Sequence, residues 1–158
     1  MNQHASECVA VLASIDPDAY TASTQTSGWV SAANFYTFAA ILQAGDLGVS
    51  ATLTMKIEKA TSSAGAGSTD LTSASTTALT GTGADHNKQA VISFRQDDLG
   101  HTSGTPYTHV RLSATLADDG TSPTGSGADF GALLLGVFPR VAPASGYDAT
   151  TVDEVVNV

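Results

Sequence analysis

Strict alternation of apolar and polar residues limits what this chain can fold into more than any other feature. From Thr108 to Leu116 it sets Val110, Leu112, Ala114 and Leu116 on one side, with His109 and Arg111 on the other. Successive side chains of a strand point to opposite faces, so this pattern describes a strand with one face buried and one face wet. Ala51–Glu58 repeats it, with Leu53, Met55 and Ile57 inward and Thr52, Thr54, Lys56 and Glu58 outward. Gln89–Arg95 is a third case, with Ala90, Ile92 and Phe94 inward. No window carries the 3.6-residue period and end caps of a helix. The expected class is all-β.

Two further segments, Phe35–Leu42 and Phe130–Phe138, are apolar on both faces. Strands of that kind are expected in the middle of a sheet or under a cover. Glu7–Ile15 reads as a first strand closed by Asp16-Pro17-Asp18, because proline cannot donate to a ladder and aspartate favours turns. A weaker strand is expected around Leu71–Leu79, and Asp153-Glu154-Val155-Val156 reads as a single helical turn or a tail. The segments rich in Gly, Ser and Thr at 62–68, 81–85 and 120–127 fall between strands and read as long surface loops. Together these give an antiparallel β-sandwich, jelly-roll-like, of six to eight strands. A length of 158 residues suits one domain. That domain is expected over 1–140, with 1–6 as a flexible N-terminal arm and 141–158 as an irregular C-terminal arm. The arms lack alternation and are expected to be mobile alone, serving attachment more than folding. Leu53, Met55, Ile57, Ile92, Phe94, Val110, Leu112 and Leu116 are expected to build the core.

Charge narrows the function. Six basic residues against fifteen acidic ones give a net charge of -9, the wrong sign for holding nucleic acid phosphates. No basic residue precedes Lys56, so Met1–Ile15 lacks the positive region of a secretory signal, and no apolar run is long enough for a spanning helix. The expectation is a protein made soluble, without membrane contact. Cys8, the single cysteine, has no internal disulfide partner and reads as a buried, inert thiol.

Catalytic signatures are missing. There is no Gly-x-Ser-x-Gly nucleophile elbow, and Gly65-Ala66-Gly67 and Gly81-Thr82-Gly83 lack the following Gly-Lys-Ser/Thr of a phosphate loop. His4, His86, His101 and His109 have no zinc-ligand spacing. The pairs Asp97-Asp98 and Asp118-Asp119 end strands, where solvated turn carboxylates outweigh a calcium site. Trp29 reads as part of the core edge rather than a sugar-stacking platform. No enzyme, cofactor or metal is expected. The rival classes are a carbohydrate- or receptor-binding sandwich, which needs grouped exposed aromatics, and a small hydrolase.

A longer pattern runs through Phe35–Leu42, Gly48–Ala60 with its Lys56-Ile57-Glu58, Asn87–Ser93, Tyr107–Leu112 and Gly131–Arg140 with its terminal Val137-Phe138-Pro139-Arg140. This order resembles a family of small virion proteins of tailed bacteriophages, encoded among the head genes beside the major capsid protein. The sequence departs from that pattern by Thr108-His109 between the tyrosine and Val-Arg-Leu, and by the arm after Arg140. The resemblance implies a decoration or cement protein on the capsid surface, made in the host cytoplasm, with neck or tail placement as the alternative. Its implied partners are the major capsid protein and copies of itself, as a homotrimer. The candidate interface residues are His109, Arg111, Arg140, Tyr147, Val152, Val155 and Val156.

Overall fold

The computed structural model describes residues 4–82, 85–118 and 127–157. A single helical turn, α1 (Ala5–Cys8), leads into β1 (Val9–Tyr20), β2 (Ser23–Thr26), β3 (Val30–Ser31), β4 (Phe35–Leu47), β5 (Ala51–Ala60) and β6 (Thr69–Ser75). The chain continues through β7 (Leu79–Thr80), β8 (Gln89–Arg95), β9 (His101–Thr102), β10 (Thr105–Pro106), β11 (His109–Asp118) and β12 (Ala128–Pro139). Two sheets result. The first has the order β1-β12-β4-β8, and the second β2-β11-β5-β6, with β3 beside β11 and β7 beside β5. Of the connections between these eight principal strands, only β5 to β6 stays within a sheet, and every other one crosses the sandwich. That is the double-sheet winding of a jelly roll.

The alternating segments sit at the phases their sequences require. The eight expected core residues are all buried, none more than 8% exposed. Leu112 of β11 faces Ile57 of β5 across the ladder, and both are wholly inside. Replacing Leu112 by Ala is expected to cost about 2–5 kcal/mol, through lost transfer energy and the cavity left behind. Chemical denaturation of wild type and variant at equal m-value measures it. Aromatic rings fill one end of the core: Phe38 stacks on Phe94 at 5.0 Å, and Phe35 meets Phe38 edge-on at 6.3 Å. Gly136 of β12 makes room for them, since a Cβ there would lie 2.7 Å from the Phe35 ring.

Three expectations need correction. First, β1 does not stop at Ile15 but runs through Pro17 to Tyr20, with its register on β12 shifted between Ile15 and Asp18. An edge strand tolerates proline at a bulge, because no ladder donor is lost on the paired side. Second, Cys8 ends α1 and is half-buried rather than buried. Third, the C-terminal arm is irregular, but its first half belongs to the fold. Ala144 is completely buried in a 3-10 turn (Ala144–Tyr147), and the Tyr147 ring meets Phe35 at 5.4 Å. The Val11 N–H donates to Asp148 Oδ1 at 2.7 Å, and the Ala149 N–H donates to the Val11 carbonyl at 2.7 Å. These bonds satisfy the backbone groups that Val11 presents on the free edge of β1.

The expected Leu71–Leu79 strand is divided between β6 and β7, and Asp153–Val156 takes the tail form. Met1–Gln3 of the N-terminal arm, Gly83, Ala84, Asp119, the loop 120–126 and Val158 lie outside the described residues.

Candidate assembly surface

The two sheets present unlike faces to solvent. The outer face of the second is polar and internally paired. Glu58 takes Arg111 Nε at 2.7 Å and Lys56 Nζ at 3.3 Å, and Lys56 also reaches Asp70 at 2.8 Å. The hydrogen bond to Asp70 raises the Lys56 pKa above its ordinary value; burial opposes it, and the hydrogen bond to Glu58 adds to the rise. A raised lysine stabilises fully below its unfolded value, and that contribution is lost as pH climbs through the folded one. Thr24 and Thr115 share a hydroxyl hydrogen bond at 3.0 Å across β2 and β11. The Arg111 guanidinium lies over the Trp29 ring at 4.6 Å, and Gly65, with φ of 78°, packs where a Cβ would stand 2.6 Å from the indole nitrogen. Trp29 is thus half-buried against Arg111 and Gly65 on the outer face of this sheet, not packed on the core edge that its sequence context suggests.

The outer face of the first sheet is mostly apolar. Ladder register places Ser14, Leu133, Ile41 and Val91 in one row across β1, β12, β4 and β8. The next row is Val11, Leu135, Ala39 and Ser93, and the third is Val9, Val137, Thr37 and Arg95. This is why β4 and β12 are apolar on both faces. Their inner residues line the core, while Ile41, Leu133, Leu135 and Val137 are only half-covered. Val91 is 64% exposed at the edge. Phe138, held at φ of 57°, breaks the alternation of β12 and stands 61% exposed at one end, with Tyr36 and Val141 also out. A left-handed bulky residue costs energy, about 1–3 kcal/mol, and such outliers concentrate where function holds them. Single exposed apolar side chains are ordinary, but contiguous rows mark a contact surface.

The candidate interface residues divide between these surfaces. His109 and Arg111 lie on the polar sheet, where His109 Nδ1 is 2.9 Å from Thr108 Oγ1 and Arg111 is held by Glu58. Arg140 rims the apolar face, its guanidinium 4.2 Å from the Tyr36 ring and bonded to Gln96 Oε1. Tyr147 is committed to Phe35 inside the fold. Val152, Val155 and Val156 line a cleft beside Val9 and Val11, next to the apolar rows. The rows themselves escape a reading of single strands, because they appear only when four strands are laid side by side.

A second concavity of about 660 Å³ opens at the other end of this face, lined by Asp18, Gln43, Asn87, Gln89 and Asp129 among others. Asp18 bonds its neighbour's Ala19 N–H at 2.7 Å, an ordinary turn role. Asp98 likewise accepts the Arg95 N–H at 2.8 Å. Among the described residues no three His, Cys, Asp or Glu side chains converge as a metal site would require, and no helix is long and apolar enough to cross a membrane.

No protein-family model matches the chain, and neither does any curated protein sequence. Solved structures do. VP2 of infectious bursal disease virus, in its subviral particle, superposes with a TM-score of 0.54 at 14% identity, over 82% of this chain and 32% of VP2. The Gx strain of that virus gives 0.49 at 12% identity, over 87% of this chain and 34% of the other. Desmodium yellow mottle tymovirus gives 0.39 at 11% identity, over 84% and 89%. The chain spans about a third of the VP2 structure's length. At such low identity the VP2 likeness shows a shared fold, the antiparallel jelly-roll sandwich.

Proposed function

We propose that this chain is a non-enzymatic structural protein of a virus particle, docking through the outer face of the sheet β1-β12-β4-β8. One observation carries the reading: three contiguous rows, mostly apolar, are only partly covered on one sheet while the opposite sheet is polar and self-paired. Burial of such rows stabilises association by about 25 cal/mol per Å² of apolar area, before the costs of ordering are subtracted. Two supports are independent of it. The VP2 fold neighbour comes from a subviral particle, and the strand order of Lys56-Ile57-Glu58, Tyr107–Leu112 and Val137–Arg140 resembles tailed-phage head proteins. The finer reading is a decoration or cement protein on a tailed-phage head, contacting the major capsid protein and copies of itself as trimers. A neck or tail position is its variant.

Cryo-electron microscopy of purified particles, with and without the gene product, tests this. The expected result is additional sandwich-shaped density in many symmetry-related copies on the outer shell, with the first sheet turned toward the lattice. Particles that lack the protein altogether, or carry it with the Glu58–Arg111 face inward, overturn the proposal.

A further inference from the structure

We infer that the segment 150–157 of one copy adds as an extra strand to the β8 edge of a second copy, linking copies head to tail. The inference rests on the assembly role above and names the contact between copies.

A sheet edge is a row of unpaired N–H and C=O groups, and proteins usually blunt such edges. Three of the four edges here are blunted. β1 carries Pro17 and two register shifts, and Asp148 and Ala149 cap its Val11. β2 is only four residues long. β6 holds Asp70, a register shift and Ser73 at φ of 62°. β8 has no proline, bulge or register shift, and its charges stand only at its ends, Lys88 before it and Arg95 as its last residue. It pairs with β4 in seven consecutive positions, Thr37 with Arg95 through Gln43 with Gln89, without a shift, proline or glycine. The row Leu133–Ile41–Val91 also ends at this edge with Val91 64% exposed, as if cut off mid-sheet.

The occupant is legible from the tail. Thr150-Thr151-Val152-Asp153-Glu154-Val155-Val156-Asn157 is mostly β-branched, contains no Gly or Pro, and from Val152 onward forms no helix, turn or strand. Val156 is 69% exposed, and among the described residues the end of the segment borders a shallow cleft beside Val9 and Val11 and accepts a hydrogen bond at Asn157 Oδ1 from Ser6 Oγ. Charge fits as well. Lys88 precedes β8 and Arg95 ends it, neither in a salt bridge among the described residues, while Asp153 and Glu154 supply the opposite sign.

Reach makes the contact intermolecular. The tail leaves the fold at Ala149, bonded to β1, whereas β8 is the opposite edge of the same sheet. Three strand spacings separate them, about 14 Å, and eight extended residues span only about 26 Å. A tail crossing its own sheet would therefore have about three residues left to pair. Donor and acceptor on opposite edges give a heterologous contact, which closes into a ring or continues as a chain.

The test uses the full chain and reversible charge exchange. Wild type is expected to associate as its concentration rises, with alternate β8 amides gaining hydrogen-exchange protection. K88E/R95E and D153K/E154K are each expected to weaken association by about fivefold, the worth of two exposed ion pairs. The quadruple variant that combines them restores it. All four substituted positions are exposed, and unchanged thermal midpoints confirm the fold. A wild type that stays monomeric at the highest attainable concentration overturns the inference. So do reversals that associate like wild type, a quadruple variant that is not restored, or β8 amides that exchange at a constant rate. Particles decorated equally by all variants overturn tail exchange while leaving the particle role intact. Self-association without any particle attachment does the reverse.

Discussion

Deletion of the chain from Ala142 onward is expected to lower the thermal midpoint by about 6–20 °C. The range follows from a loss of about 3–5 kcal/mol, comparable to a large aromatic truncation, at about 2–4 °C per kcal/mol for a domain of this size. The loss has named parts. Ala144 leaves the core, and the Phe35 ring, completely buried in the intact chain, loses the Tyr147 edge beside it. The Val11 N–H and carbonyl then lose Asp148 and Ala149 at once, at about 1 kcal/mol for each bond. Scanning calorimetry of the truncated and full chains measures the shift. Truncation from Thr150 instead retains all four contacts and is expected to leave the midpoint within about 2 °C. A truncation at Ala142 with an unchanged midpoint would mean that the first half of the arm only decorates the fold.

Val91→Asp is expected to leave folding nearly intact and to weaken particle attachment by about 100-fold or more. Val91 is 64% exposed in the isolated chain, so the carboxylate stays hydrated there. Docking of the Leu133–Ile41–Val91 row would strip that water without supplying a partner. An uncompensated buried charge costs about 3–5 kcal/mol, and each 1.4 kcal/mol is about tenfold in affinity. Competition between labelled wild type and the variant for stripped particles measures the ratio. Equal occupancy would place the contact on the other sheet.

The distance between these predictions and the bare sequence has physical causes. β5, β8 and β11 were readable because each has one wet face, so alternation reports both the strand and its phase. β4 and β12 were readable as strands, yet their outer apolar residues pointed to a cover that the described residues provide only in part. β1 hid its second half, because Pro17 signals a stop unless the strand is known to be an edge. The arm was the largest miss. Tyr147 and Phe35 lie 112 positions apart, and a contact made by one 3-10 turn leaves no periodic trace. The tail valines and Arg140 were picked out from the sequence and do border the apolar rows. His109 and Arg111 were picked out equally, but face the other way. One strand's alternation cannot say which sheet will be left without a polar coat.

The Arg111–Trp29 stack has a practical consequence. Trp29 is the single tryptophan of the chain, seated on the self-paired polar sheet with a cation 4.6 Å from its ring. Its fluorescence is therefore a site-specific reporter whose signal comes from one known position. Unfolding strips away the guanidinium and the Gly65 backbone together, so emission should shift toward that of a solvated indole. Docking through the opposite sheet leaves both neighbours in place and should be optically silent. A change in Trp29 emission on attachment, without loss of structure, would thus identify the polar sheet as the buried side before any image of a particle is taken.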